Sequence, residues 1–121
     1  MSAPAQDHLI EIELWDTRVR VLFGGEVIAD TGRALVMRET VYPLIYYIPR
    51  EDVRIEVLTP SEHTTRCPHK GMASHFNLSC GGQQVDNAVW SYEDPLESVS
   101  EIEGHCAFYP RYVEFRTGDD T

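Results

Sequence analysis

Between residues 64 and 76 the chain reads TTRCPHKGMASHF, and Lys70 within it is the only lysine in 121 residues, every other long cationic side chain being arginine. Lysine is a compact point charge that gives up its proton when desolvated, which arginine does not do. Three chemical roles follow: a clamp for a carboxylate or phosphate, a general base, or a nucleophile that forms an imine with a carbonyl. The plain structural alternative is an ion pair with one of the twenty acidic residues. Cys67 stands three residues earlier, where an adjacent ammonium favours the thiolate, although small free cysteines more often serve as packing. Glu39 enters from another segment. In ALVMRE, residues 34–39, Leu35, Met37 and Glu39 share one parity, so a strand that turns the first two toward a core also directs the carboxylate inward. A carboxylate so placed needs a partner.

Tyr46, Tyr47, Trp90 and Tyr92 are candidates for pocket walls, with core filling as the alternative. His63, Cys67, His69, His75 and Cys80 are all potential zinc ligands within eighteen positions, but their spacing matches no metal motif, and no metal site is assigned. The glycine pairs 24–25 and 81–82 complete neither GxGxxG nor GxxxxGK[ST], and no local signature marks a Ser-His-Asp arrangement. No cofactor is implied.

A chain of 121 residues is expected to make one ordinary domain with one core. Residues 1–7 and 117–121 are expected to be flexible ends around a single domain over 8–116. The formal net charge of −10 repels a phosphate backbone, which argues against nucleic acid as a partner. No apolar run approaches the roughly 20 residues of a membrane-spanning helix. MSAPAQDH has neither a basic n-region nor an apolar h-region, so the expected location is the cytoplasm. Three cysteines without a CxxC pair support free thiols rather than a disulfide framework.

Alternation with a period of two marks strands at Ile10–Leu14, at Val19–Phe23 and in EVIAD, and Gly24-Gly25 between the last two signals a tight hairpin, so a meander opens the chain. PLIYYIP reads as a short strand with Tyr46 and Tyr47 on opposite faces. Pro49 ahead of an acidic turn, Val53 and Val57 at i,i+4, and Pro60 as a stop predict one helix in PREDVRIEVL. HTTRC and ASHFNLSC flank the Pro68–Gly71 turn. QQVDNAVWSYE forms the next strand, with Ala88, Trp90 and Tyr92 on one face, and HCAFYPRYVEF closes the chain as a hairpin-like pair broken at Pro110. The fold class is mainly β: a single antiparallel domain with one short helix.

The segments RVRVLFGGEVIADT, YYIPREDV, TTRCPHKGMASHF, AVWSYEDP and GHCAFYP, in this order, resemble the family catalogued as domain of unknown function 427, over residues 8 to 116. The resemblance implies a β-tent-like architecture akin to Yippee proteins and methionine sulfoxide reductase B, without their zinc cysteine pairs. It implies that Asp30, Tyr47–Pro49, Asp52-Val53, Cys67, Pro68, Lys70, Gly71, Ala73, Trp90, Tyr92, Pro95, Phe108 and Tyr109 recur in the family, and that His69 replaces an aromatic residue. A nucleotidyltransferase label also accompanies the family.

The expectation from the residues is a pocket for a small anionic or carbonyl-bearing metabolite, with Lys70, Glu39 and Cys67 as catalytic candidates and Tyr47, Trp90 and Tyr92 as binding walls. Nucleotidyl transfer and a non-catalytic protein-interaction module are the alternatives. A homodimer would be compatible with the exposed edges of a small β domain.

Overall fold

A computed structural model of the chain describes residues 9–40 and 42–118. Its strands are β1 (Ile10–Leu14), β2 (Val19–Phe23), β3 (Glu26–Thr31), β4 (Leu35–Glu39), β5 (Ile45–Pro49), β6 (Leu58–Cys67), β7 (Gly71–Cys80), β8 (Gln83–Ser91), β9 (His105–Phe108) and β10 (Glu114–Thr117). All pairings are antiparallel. A three-stranded sheet runs β10-β2-β3 and a seven-stranded sheet β1-β4-β5-β9-β8-β7-β6. The mainly-β, single-domain expectation holds.

Gly24 and Gly25, at φ 60° and 86°, make the tight turn that joins β2 to β3. The opening meander stops there. β1 pairs with β4, Ile10 opposite Glu39 and Leu14 opposite Leu35, and the Trp15 amide continues the run by donating to Ala34 O at 2.8 Å. The closing hairpin does not form either. β9 is held between β5 and β8, whereas Pro110, without an N–H to donate, sits in a turn from which the chain crosses to pair β10 with β2 in the other sheet. The helix predicted in 49–58 is replaced by two single 3-10 turns, Arg50–Asp52 and Ile55–Val57. Tertiary pairing overrides the local signal: Val53 is extended and bridges Ala29, and the Arg54 amide donates to Ile28 O at 2.8 Å. Among the described residues the longest helical stretch is a short 3-10 segment at Glu97–Ile102, kinked at Val99.

Strand alternation sorts the apolar residues into two cores. The first lies between the sheets and holds Val19, Val21, Ile28, Ile48, Leu78, Val89, Cys106 and Phe108. The second covers the other face of the large sheet with Met37, Tyr47, Ala73, Tyr92 and Ala107, beneath Val99 and Ile102 of the 3-10 segment. Burying a side chain such as Ile48 or Ile102 completely contributes about 1.5–3 kcal/mol. Tyr46 and Tyr47 point to opposite cores, as their parity requires. Ala88 departs from its expected face and packs in the first core, while Trp90 belongs to the second. β8 has extra residues here: Leu78 and Phe76 of β7 face Val85 and Val89, and Asn87 takes a left-handed φ of 58° inside that bulge.

Two aspartates tie the small sheet together. Asp30 receives two bonds from Arg18, at 2.8 and 2.6 Å, and the Arg18 guanidinium holds its carboxyl below the usual range. Asp52 accepts the buried Thr31 hydroxyl at 2.6 Å. Of the ends expected to be flexible, 1–7 and 117–121, residues 1–7 and 119–121 lie outside the described residues, whereas Thr117 is paired in the ladder with Val19 and the Gly118 amide donates to Arg18 O at 2.8 Å. No helix among the described residues is long and apolar enough to cross a membrane.

Gly71 opens β7 at φ 116°, a conformation open to glycine and strained for other residues. Gly71→Ala is therefore expected to lower the unfolding free energy by about 1–3 kcal/mol in urea melts. Gly32→Ala, at an ordinary φ with open space around the new methyl, is the control and should change it by less than about 0.5 kcal/mol.

Candidate functional site

The turn between β6 and β7 is built to aim one side chain. The Lys70 amide donates to Cys67 O at 3.1 Å, closing a four-residue turn, and Lys70 O accepts the Leu96 amide at 2.9 Å. Gly71 follows directly, with the Asp94–Leu96 backbone so near that an added Cβ would lie 3.5 Å from it. Pinned on both sides, the turn sends Lys70 back over the large sheet. There its Nζ meets Glu39 Oε1 at 2.9 Å, and each side chain is only 10% exposed. The inward parity of Leu35, Met37 and Glu39 is what brings the carboxylate to this point. Lys70 Nζ also lies 3.5 Å from Cys67 Sγ.

The pair and the thiol lie on the wall of a cavity of about 490 Å³. The strand registers explain its aromatic lining. Trp90 of β8 faces Ala107 of β9, and the β5–β9 register, Ile48 opposite Cys106, brings Tyr47 to the other side of the same alanine. Because Ala107 is small, the Trp90 indole N–H reaches across it and donates to the Tyr47 hydroxyl at 3.4 Å, the rings meeting edge to face at 6.4 Å. Tyr109 packs on Trp90 with ring centroids 4.4 Å apart, and Tyr92 and Ile45 complete the apolar walls. Burial pushes the Tyr47 phenol far above its ordinary range, with Trp90's hydrogen bond opposing and the charge of Glu39 adding to the rise. Burial does the same to Tyr92. Both therefore present neutral hydroxyls at physiological pH.

All six sequence-derived site residues, Lys70, Glu39, Cys67, Tyr47, Trp90 and Tyr92, line this one cavity. Tyr46, considered with them as a wall, points away and packs against Phe115 and Trp15. Tyr42, Thr65 and Tyr109 line it without having been singled out as site residues on their own signals. Tyr109 was legible: it follows Ala107 by two, so alternation puts both on the same face. Tyr42 lies in the β4–β5 connection, where no periodicity operates.

The histidines and remaining cysteines disperse. His69 stands at the cavity, His63 and His75 pair with ring centroids 4.6 Å apart, and Cys80 packs beside the first core. Among the described residues, no three His, Cys, Asp or Glu side chains gather as a metal-binding group. His75 lies opposite Trp90 on β7, buried, with Nε2 3.4 Å from the Tyr109 hydroxyl and Nδ1 without a hydrogen-bond partner.

A family model described as a domain of unknown function, DUF427, with the short name NTP_transf_9, matches residues 11–118. No curated protein matches the chain.

Two outcomes test this geometry. Lys70→Met strands a largely buried carboxylate and should cost about 3 kcal/mol in denaturant unfolding, whereas Lys70→Met with Glu39→Leu should return to within about 1 kcal/mol of wild type. Burial, and secondarily the charge of His63, lower the His75 basicity in the folded state. An unfolded histidine binds its proton near pH 6.5, so the native state holds fewer protons below that pH and stability declines as pH falls. His75→Gln should flatten that decline when urea midpoints at pH 7.5 and pH 5 are compared.

Proposed function

From the premise that the chain belongs to the domain of unknown function 427 family, whose description assigns no chemistry, we propose that it binds a small, planar, polar metabolite in the cavity beneath the Cys67–Lys70 turn. One observation carries the reading: a lysine–glutamate pair, mostly withdrawn from water, at the wall of a 490 Å³ cavity whose other walls are largely aromatic. Lysine and glutamate are seldom this far withdrawn from water unless paired, and a volume of this size falls in the range of small-molecule sites. Tyr47, Trp90, Tyr92 and Tyr109 supply flat apolar surface for the body of the ligand. Lys70 donates to its carbonyl or carboxylate oxygen, and Glu39 accepts from a hydroxyl or amine beside it. Cys67 completes the polar corner.

Nucleotidyl transfer fits these residues less well. That chemistry holds its divalent ions and triphosphate with paired carboxylates, and Glu39 is the one carboxylate among the described residues lining the cavity. The acidic balance of the chain disfavours a triphosphate further.

A thermal-shift panel of aromatic carbonyl compounds, aromatic carboxylates and nucleoside triphosphates with Mg²⁺ tests the reading. At about a hundredfold excess over Kd, a ligand of the first two classes should raise Tm by about 10 °C. Thr65→Trp, at an exposed position on edge strand β6 that lines the cavity, should fill the space and abolish the shift. A shift that persists in Thr65→Trp puts the ligand elsewhere, and a panel in which only the triphosphates bind favours the transferase label.

A further inference from the structure

Resting on the small-molecule reading of this cavity, we infer that its substrates are aldehydes and that Lys70 captures them as an imine. A binding site that needed only a cation at this corner would be served by arginine, which the chain uses at nine other positions. An imine needs a primary amine. It also needs a nearby group that accepts a proton and returns it, and Glu39 Oε1 at 2.9 Å from Nζ is in direct line for that exchange.

The environment makes the exchange accessible. Nζ and Oε1 already lie within hydrogen-bond distance in a corner where each side chain is only 10% exposed, so the proton has one short step to travel. One proton moving from Nζ to Oε1 produces the nucleophile and the acid together, with no ion released into the cavity. The amine lone pair then attacks the carbonyl carbon, the C=O π pair moves to oxygen, and a proton passes through Glu39 from nitrogen to that oxygen, giving a carbinolamine. Glu39 next protonates the hydroxyl, water leaves, and the nitrogen lone pair forms the C=N bond, giving a protonated imine whose N–H proton returns to the Glu39 carboxylate. Aldehyde and amine become imine and water, with no oxidant, reductant or metal required.

Among the ligands this corner accepts, the pair ranks a neutral aldehyde above a carboxylate, because the carboxylate must draw Lys70 away from Glu39. Aromatic walls formed by Tyr47, Trp90 and Tyr109 favour a flat substituent on the carbonyl. Cys67 Sγ, 3.5 Å from Nζ, adds a second nucleophile that holds the same carbon reversibly as a hemithioacetal.

Because the chain has one lysine, peptide mapping separates an adduct on its ε-amine from one on the α-amino group. The folded protein is incubated with benzaldehyde, reduced with borohydride and examined by intact mass and peptide mapping. The expected product carries one benzyl group on Lys70. Glu39→Gln should slow its formation by about a hundredfold. Lys70→Arg, which keeps a cation against Glu39, should fold and yield no adduct at residue 70, with a smaller benzaldehyde thermal shift than wild type. Equal trapping rates on Lys70 in folded and urea-unfolded protein would overturn the inference. A benzaldehyde thermal shift in wild type and Lys70→Arg alike, without any trapped adduct, would overturn it while leaving the binding reading intact. Loss of both the shift and the adduct removes both.

Discussion

The molecule is organised around one electrostatic contact made across a sheet. Glu39 ends β4 and Lys70 precedes β7, strands separated by β5, β9 and β8 in the sheet order. On a flat sheet, four strand spacings of about 4.8 Å would hold those backbones about 19 Å apart, beyond the reach of a lysine and a glutamate together. Contact at 2.9 Å therefore demands a strongly curled sheet, and the curl creates the hollow. Each supporting feature serves this geometry. Gly71 lets the chain reverse beside the Pro95 backbone, Leu96 ties down Lys70 O, and the short pairings of β9 allow the sheet to bend where it is narrowest.

The two faces of the curled sheet then have different fates. The convex side must be dry, because the β2–β3–β10 sheet packs on it, and it is filled with close-packed aliphatic and aromatic residues. On the concave side the 3-10 segment at 97–102 covers one end with Val99 and Ile102, while the Lys70 end stays unfilled. The cavity is thus a by-product of curvature combined with a short lid. Its polar corner is set by the pair and its flat walls by the cross-strand row Tyr47–Ala107–Trp90, in which the smallest member lets the two large ones touch.

Where alternation governed, the sequence was readable. Leu35, Met37 and Glu39, Tyr46 against Tyr47, and Trp90 with Tyr92 all face as their parity requires, and so the site residues converge although they come from distant segments. Where pairing partners governed, it was not. Nothing local in IEIEL says that β1 joins β4 rather than β2, and nothing in HCAFYP says that β9 and β10 part into different sheets. PREDVRIEVL carries real helix signals, but Val53 gains more by bridging Ala29 in the first core than by finishing a helical turn. Ala88 was misplaced for a related reason: a bulge breaks the period that alone makes parity informative.

The most direct test of this account is heteronuclear NMR on protein labelled with ¹⁵N-lysine, in which a single Nζ signal reports on Lys70 without assignment. A sharp ammonium resonance is expected at neutral pH, slow to exchange with water because it is withdrawn against Glu39, and displaced when Glu39→Gln removes the carboxylate charge. A resonance broadened away by rapid solvent exchange, indifferent to Glu39→Gln, would mean that the pair does not hold in solution, and with it the basis for the curled sheet and its cavity would be lost.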